Sequence, residues 1–367
     1  MEPLSISSPL KVGDITVKNR ICIPPMVLFG HCGEDGFVTE AHIAHYTALA
    51  KGGPGLIIQE ATCVTKEGRL SNDQLGIWSD DHIPGLKRLT EVIHRENVPV
   101  FLQIHHAGIM SPVGRRVCPD EYIFRQNPKK EGQKLATRIT EVRGEKLTVS
   151  EIEEIRDAFI AAGRRAHLAG YDGVELHGCH SYLLCQFLNK NVNRREDQYA
   201  GGLALIREIF EGIRAVTPPE FVIGIRLGAF EPTLADAVEN AKTLLEMGLQ
   251  FFDVSYGFSG EMDFVAPGDE TMLPVIRAAG EIRKAVSAPV FAVDSIRTPE
   301  MAERVVAEGY GDMADVGRSA LVDYNWAKKA LSGKQPGACL GCISCQWRMD
   351  PDKCPGRILL KRQEETQ

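Results

Sequence analysis

Eight short, continuously apolar runs rich in β-branched residues recur along the chain, at 21–23, 56–58, 100–104, 173–176, 222–226, 251–254, 290–293 and 313–316. A strand that is apolar on both faces must be covered on both faces, which is the condition of a parallel strand in an α/β protein. Between the runs, apolar residues recur at helical spacing. The clearest case covers 149–169, where Ile152, Ile155, Phe159, Ala162 and Ala166 step by three or four and so share one helical face. Ser150 followed by Glu153 reads as its capping box, and Gly170 as its stop. Further helices are predicted over 40–51, 83–96, 203–216, 234–247, 273–286 and 299–308.

Eight strands alternating with helices predict an α/β chain folded as a (β/α)8 TIM barrel. A doubly wound open sheet would carry Gly-x-Gly-x-x-Gly after its first strand. Here Ile23 is followed by Pro-Pro-Met-Val-Leu-Phe-Gly. One connection, 109–147, is too long for an ordinary barrel loop and contains Gly114-Arg-Arg116, Asn127-Pro-Lys-Lys130 and Gly144. It opens at the C-terminal end of a strand, where barrel active sites are built, and is read as a substrate-covering loop.

Composition narrows the partners. No apolar run approaches the roughly 18 residues that span a bilayer. The net charge of −7 argues against nucleic acid or an anionic membrane. The N-terminus lacks a basic stretch followed by an apolar core, so no secretory signal is expected and a cytoplasmic location is.

Polar residues stand where a strand interior should have none: Glu60, Gln103, His177 and Arg226, each at or near a strand's C-terminal end. A charged side chain in a closed barrel must be paired or face the mouth. Any one of them could be a rim salt bridge; together they mark a site. The densest group is His177-Gly-Cys-His180-Ser-Tyr182. His177 and His180 are three apart and would share one face of an opening helix or turn. They could ligate a metal, or their N–H groups could stabilise negative charge on a substrate oxygen. Tyr182 holds its proton at neutral pH and is read as a general acid.

The ten cysteines divide in two. Cys22, Cys32, Cys63, Cys118, Cys179 and Cys185 are scattered and read as small buried hydrophobes. Cys339, Cys342 and Cys345 form C-x2-C-x2-C, with Cys354-Pro355 after them. Four thiolates suit a [4Fe–4S] cluster or a structural zinc. Three close cysteines and a distant one are more like cluster ligation than the paired hooks of a zinc knuckle. A cluster implies a reducing compartment.

A set of segments, in order, carries a more specific signal. It comprises Lys18-Asn19-Arg20-Ile21, Pro24-Pro25-Met26, Ala44-His45-Tyr46, the strand through Glu60-Ala61, Gln103 with His106-Ala107-Gly108, and Tyr171-Asp-Gly-Val-Glu-Leu-His177. It continues through His180-Ser-Tyr182, Gln186-Phe187-Leu188, Asn193-Arg194-Arg195 and Gly317-Arg318. Over roughly residues 4–330 this set resembles the old yellow enzyme family of flavin barrels. The cysteine tail resembles that family's iron–sulfur branch, which includes 2,4-dienoyl-CoA reductase and trimethylamine dehydrogenase.

The resemblance implies FMN at the barrel mouth. Pro25, Met26 and Val27 would line the flavin ring near N5, Ala61 and Gln103 would meet its edge, and Arg226 would sit by N1 and the C2 carbonyl. Arg318 and Gly317 would bind the phosphate, with Ser295 in the phosphate loop. His177 and His180 match the family's oxyanion-binding pair and Tyr182 its proton donor. Three departures stand out. Asp294-Ser295-Ile296 replaces a Gly-Gly before Ile, the segment after Tyr199 is shortened, and Val27 and Phe29 stand where some members carry Cys and Tyr.

The expected activity is reduction of the C=C bond of an α,β-unsaturated carbonyl or enoyl thioester, with NAD(P)H as a possible donor. The alternatives are an amine dehydrogenase or oxidative demethylase, and an electron-transfer subunit of a larger flavoprotein complex. The chain divides into a barrel, 1–335, and a cysteine-rich tail, 336–367. Only Pro355 to Gln367 follow the last cysteine. The FAD- and NAD(P)H-binding domains of larger relatives are therefore expected on a separate electron-donor protein. A homo-oligomer is possible.

Overall fold

The computed structural model describes residues 4–126, 140–258, 265–348 and 350–366. All eight expected strands form, at Ile21–Ile23, Leu56–Cys63, Val100–His105, Gly173–Gly178, Val222–Gly228, Phe252–Ser255, Val290–Ala292 and Met313–Asp315. They pair in parallel in sequence order and close into one barrel. Helices Glu40–Lys51, Ile83–His94, Val149–Leu168, Leu203–Val216, Leu234–Met247, Pro274–Ala285 and Pro299–Ala307 follow the first seven strands. Their apolar faces supply the outer core between helices and sheet.

The cap of the longest helix differs from expectation. Thr148, not Ser150, is the N-cap: its hydroxyl accepts from the Glu151 amide, and the Glu151 carboxylate accepts from the Thr148 amide at 2.8 Å. Thr148 is extended, whereas Ser150 already lies inside the first turn and cannot cap it. Gly170 stops the helix as expected, in a left-handed conformation at φ 85°.

A two-stranded hairpin, Leu10–Val12 with Ile15–Val17, closes the barrel floor. There Val12 and Val17 pack on Leu56, Phe101, Val222, Phe251, Phe291 and Met313. Phe251 stacks between Phe101 and Phe291 at centroid distances of 5.2 and 5.1 Å.

The long connection after the third strand, expected as a substrate-covering loop, is described only in part. Its described part forms a small sheet, with Val117–Cys118 and Tyr122–Gln126 pairing with Thr140–Lys146. Ile109, Cys118 and Phe124 pack on Cys185, Val192 and Phe258. None of its described residues lines the cavities at the mouth. Asn127-Pro-Lys-Lys130 lies outside the described residues. Of the scattered cysteines, Cys22, Cys63, Cys118, Cys179 and Cys185 are buried, while Cys32 is only half-buried. Among the described residues, no helix is long and apolar enough to cross a membrane.

Candidate active site

Two adjoining cavities of about 370 Å³ each open at the C-terminal ends of the strands. They share Pro25, Met26, His180, Arg226 and Arg318 as walls. Val27, Ala61, Gln103, His177 and Tyr182 complete one, and Ser295 and Gly317 the other. Every catalytic or flavin-binding residue singled out in the sequence is therefore gathered here.

Strand register does much of the gathering. Arg226 lies beside His177 on one neighbouring strand and beside Asp253 on the other, and Gln103 lies beside Glu175. The second strand carries a register shift between Gln59 and Thr62. Such a bulge re-aims side chains. Ala61 reaches the cavity wall, while Glu60 turns to accept from the Leu28 amide at 2.9 Å and the Tyr46 hydroxyl at 3.3 Å. Burial pushes the Glu60 carboxyl up to about 8, against the pull of those two donors.

His177 and His180 do not share a helical face. His177 is in the fourth strand, whereas His180 lies in the following loop with a left-handed backbone at φ 59°, and Ser181 follows at φ 65°. Such backbone costs about 1–3 kcal/mol per residue and persists where the surroundings over-determine it. The His180 amide donates to the Tyr256 carbonyl at 2.9 Å, and the Leu183 amide to the His106 carbonyl at 3.0 Å. His177 Nε2 lies 3.1 Å from His180 Nδ1, and His180 Nε2 lies 2.7 Å from Ser255 Oγ. The donor atoms of His177, Cys179 and His180 fall within 4.8 Å of one another. The imidazoles nevertheless use their nitrogens on each other and on Ser255, which describes a hydrogen-bonded pair.

Burial lowers the basicity of both rings. His180 falls to about 3, and His177 falls well below the ordinary range, with His105, His180 and Arg226 adding to the effect. Both are neutral donors at physiological pH. Burial pushes the Tyr182 phenol up to about 12, so it keeps its proton.

Beneath the cavity, Arg226 Nε lies 2.9 Å from Asp253 Oδ2, both side chains being nearly inaccessible. Glu175 and Asp315 are buried beside this pair. Burial raises all three carboxyls, while the Arg226 charge opposes the rise. Burial would lower Arg226 itself, but the surrounding acids hold it firmly protonated. A fixed cation thus borders the cavity.

At the far end, Arg318 donates to Ser295 Oγ at 2.9 Å. Asp294 turns its carboxylate to the Tyr256 hydroxyl, at 2.7 Å, and to Ser295. That resolves the departure at this loop, because the acid is occupied elsewhere. A Cβ at Gly317 would come within 3.2 Å of Met26 Sδ, so only glycine keeps this wall open without displacing a neighbour. Arg297 and Arg348 also line this end. Among the described residues, none of these three arginines forms an ion pair with an acid, which leaves a concentration of positive charge for an anion. The donor set fits flavin mononucleotide: cationic and open at one end, and edged by Gln103, Ala61 and Arg226 at the other.

The cysteine tail folds onto this mouth. Cys339 and Cys354 meet Leu28, Leu321, Val322 and Trp347 in an apolar patch, and helix Pro355–Glu365 follows. Cys345, Trp347 and Arg348 line the flavin-sized cavity, and Cys342 and Cys345 are both exposed. Among the described residues, the group of His, Cys, Asp and Glu donors close enough together for one metal ion is His177, Cys179 and His180, and it includes none of the four tail thiols. A tetrahedral zinc with Zn–S bonds of about 2.3 Å would need that closeness.

Sequence reasoning missed His105, Ser255, Arg297, Trp347 and Arg348. Arg297 and Arg348 had a usable signal, being basic residues beside an assigned phosphate loop and assigned cysteines. His105 had none, because it sits in an apolar run beside the more familiar Gln103 and His106.

The sequence profile of the NADH:flavin oxidoreductase / NADH oxidase family matches residues 5–336. The chain belongs to this family. It is therefore a flavin-dependent oxidoreductase of the old yellow enzyme type, as the residue pattern implied. It is 35% identical over 355 residues to an NADH oxidase of Thermoanaerobacter brockii, covering 91% of this chain but 52% of that protein. The chain thus spans about half the length of that relative. An NADPH dehydrogenase of Geobacillus sp. (strain WCH70) is 32% identical over 329 residues, with 87% and 91% covered. A solved structure of a 2-naphthoyl-CoA reductase with 2-naphthoyl-CoA superposes with a TM-score of 0.79 at 26% identity, covering 94% of this chain and 56% of that one.

Proposed function

We propose that this flavin barrel reduces the activated C=C bond of an α,β-unsaturated carbonyl or enoyl thioester. The observation that carries the reading is one cavity wall bearing two neutral imidazoles and a protonated phenol beside a buried guanidinium. FMN, held by Pro25, Met26, Val27, Ala61, Gln103, Arg226, Ser295, Gly317 and Arg318, supplies hydride chemistry, with NAD(P)H as its reductant. The hydrogen-bonded His177–His180 pair binds the substrate's carbonyl oxygen and stabilises the charge that develops there. Tyr182 gives its proton to the carbon α to that carbonyl. Arg226, kept protonated by the acids around it, would favour negative charge on the group bound at this wall. The acyl thioester named in the naphthoyl-CoA structure supports a thioester as one substrate class. An amine substrate suits the site less, because Arg226, Arg318 and Arg348 all line the cavity and would repel an ammonium.

In Tyr182→Phe, alkene turnover should fall by about 10²–10⁴-fold, with reduction of the bound flavin by NAD(P)H unchanged. Stopped-flow measurement of both half-reactions checks this, and equal slowing of both would remove Tyr182 from proton delivery. Turnover of methylamines in place of enones would favour the amine reading. Flavin reduction with no organic acceptor at all would favour a relay subunit.

The tail is proposed to hold a [4Fe–4S] cluster on Cys339, Cys342, Cys345 and Cys354, which would supply one-electron relay chemistry. It would give a separate FAD- and NAD(P)H-binding donor protein a route to the site. Anaerobic iron, sulfide and zinc assays on the purified protein should give iron and sulfide in equal amounts, with both lost in Cys342→Ser. Zinc without iron overturns the cluster.

A further inference from the structure

Three histidines and a serine form an unbroken hydrogen-bond chain inside the barrel mouth. His105 Nδ1 lies 3.1 Å from His177 Nδ1, His177 Nε2 lies 3.1 Å from His180 Nδ1, and His180 Nε2 lies 2.7 Å from Ser255 Oγ. The chain runs from the third barrel strand through the fourth to the sixth, and its Ser255 end lines a cavity. His105 lies at 0% exposure, and its other nitrogen, Nε2, is buried without a partner. The ring is wedged in place: Tyr182 packs edge-on against His105 and His177 at centroid distances of 4.5 and 4.7 Å.

A neutral imidazole carries one N–H, and each link in the chain needs one proton. With all three rings neutral, two proton orders satisfy every link. In the first, His105 donates from Nδ1, His177 and His180 both donate from Nε2, and Ser255 receives. The unpartnered His105 Nε2 is then a bare lone pair. In the second order every link reverses, His177 and His180 carry their protons on Nδ1, and His105 Nε2 becomes a buried N–H with no acceptor. Orphaned buried N–H groups are rarer in native proteins than under-used acceptors, so the first order is favoured.

We propose that His105 is a positioning residue whose Nδ1–H fixes His177 and His180 as Nε2–H tautomers, so that His177 donates to His180 Nδ1 and the His180 Nε2–H is aimed at the cavity end of the chain, where a substrate oxygen takes the place Ser255 Oγ holds. The inference rests on the reading of the His177–His180 pair as the oxygen-binding group, with His180 Nε2–H as the direct donor and His177 acting through His180. Which ring nitrogen of a histidine is protonated is set by the partner of the other. Here that partner is a third histidine, and it lies 72 positions from His177 in the chain. No proton is gained or lost when the substrate binds. The acceptor of an existing N–H simply changes from serine to substrate.

Long-range ¹H–¹⁵N NMR on the histidine-labelled flavin-loaded protein tests this without any variant. The resonances of His177 and His180 should show the Nε2–H pattern, and an Nδ1–H pattern at His177 overturns the proposal. Substitution supplies the second test. His105→Leu removes the donor and should shift His177 towards a mixture of tautomers. It should also lower kcat for alkene reduction about 10- to 100-fold, the usual size of losing an orienting partner, with KM little changed. His105→Gln keeps an N–H donor and should recover most of the loss. Full kcat and an unaltered His177 tautomer in His105→Leu would overturn the assignment. A protein that reduces no alkene yet shows the Nε2–H pattern fails the functional reading and leaves the tautomer assignment standing. Alkene reduction with an Nδ1–H pattern does the reverse.

Discussion

The barrel's floor and its mouth are built from the same eight strands, yet they obey opposite rules. At the floor, Leu56, Phe101, Val222, Phe291 and Met313 fill the interior with a closed apolar layer under the hairpin. A few residues further along the same strands stand Gln103, His105, Glu175, His177, Arg226, Asp253 and Asp315, all buried. Among the described residues His105 Nε2 has no partner, and the carboxyls of Glu175, Asp253 and Asp315 crowd around the single Arg226 cation. A buried polar group without a partner costs about 1–3 kcal/mol. Stability alone would not retain three buried acids around one cation and an unpartnered imidazole nitrogen, so the mouth gives up stability while the floor keeps the barrel closed.

The widest separation of the two should come from Arg226→Met. It leaves Asp253, Glu175 and Asp315 without their cation and should lower the unfolding free energy by about 3–5 kcal/mol, with FMN lost on gel filtration. Denaturant titration and flavin fluorescence read the two effects. Phe291→Ala at the floor should cost a similar 3–5 kcal/mol through its cavity, with FMN affinity in the folded protein unchanged. If Phe291→Ala released flavin as readily as Arg226→Met, floor and mouth would not be separable.

A smaller effect lies in pH. Glu60 is raised to about 8 by burial, above its ordinary value of 4.5. Between these values the folded state binds a proton that the unfolded state has released. The stability contributed by this group is therefore complete below about pH 4.5 and is lost as pH rises through 8. Its slope is at most about 1.4 kcal/mol per pH unit. Glu60→Gln should flatten that part of the stability profile between pH 5 and 8, measured by urea unfolding. An identical profile in the variant would show that Glu60 ionises freely.

Most of the fold could be read from local pattern, because a parallel barrel strand must be apolar on both faces and Leu56, Val100 or Val222 cannot hide that. The site could be read wherever it lay in one contiguous motif, as at His177, His180 and Tyr182. What could not be read was pairing across the barrel. His105 meets His177 only because the third and fourth strands are neighbours in register, Gln103 beside Glu175 and Ile104 beside Leu176. Arg348 and Trp347 reach the cavity only because the tail folds back over Leu28, Leu321 and Val322. The packing of the connection 109–147 was out of reach for a related reason. Its length and its position at the mouth are local facts, but its packing on Cys185, Val192 and Phe258 is not.

The smallest test concerns the cap that sequence placed two residues late. Thr148-x-x-Glu151 and Ser150-x-x-Glu153 satisfy the same pattern, and only the backbone decides between them. At Thr148 it is extended, with φ −71° and ψ 162°, and its amide and hydroxyl both reach the Glu151 carboxylate. Thr148→Ala should therefore cost about 1 kcal/mol, whereas Ser150→Ala should cost little and could gain slightly, alanine being the better helix former. The helix Val149–Leu168 packs outside the barrel, and none of its residues lines the flavin-sized cavities. Neither change should therefore move FMN affinity or turnover. Chemical denaturation of both variants settles the cap. A loss of flavin in Thr148→Ala would instead join this helix to the mouth and weaken the division between the part of the barrel that holds its shape and the part that acts.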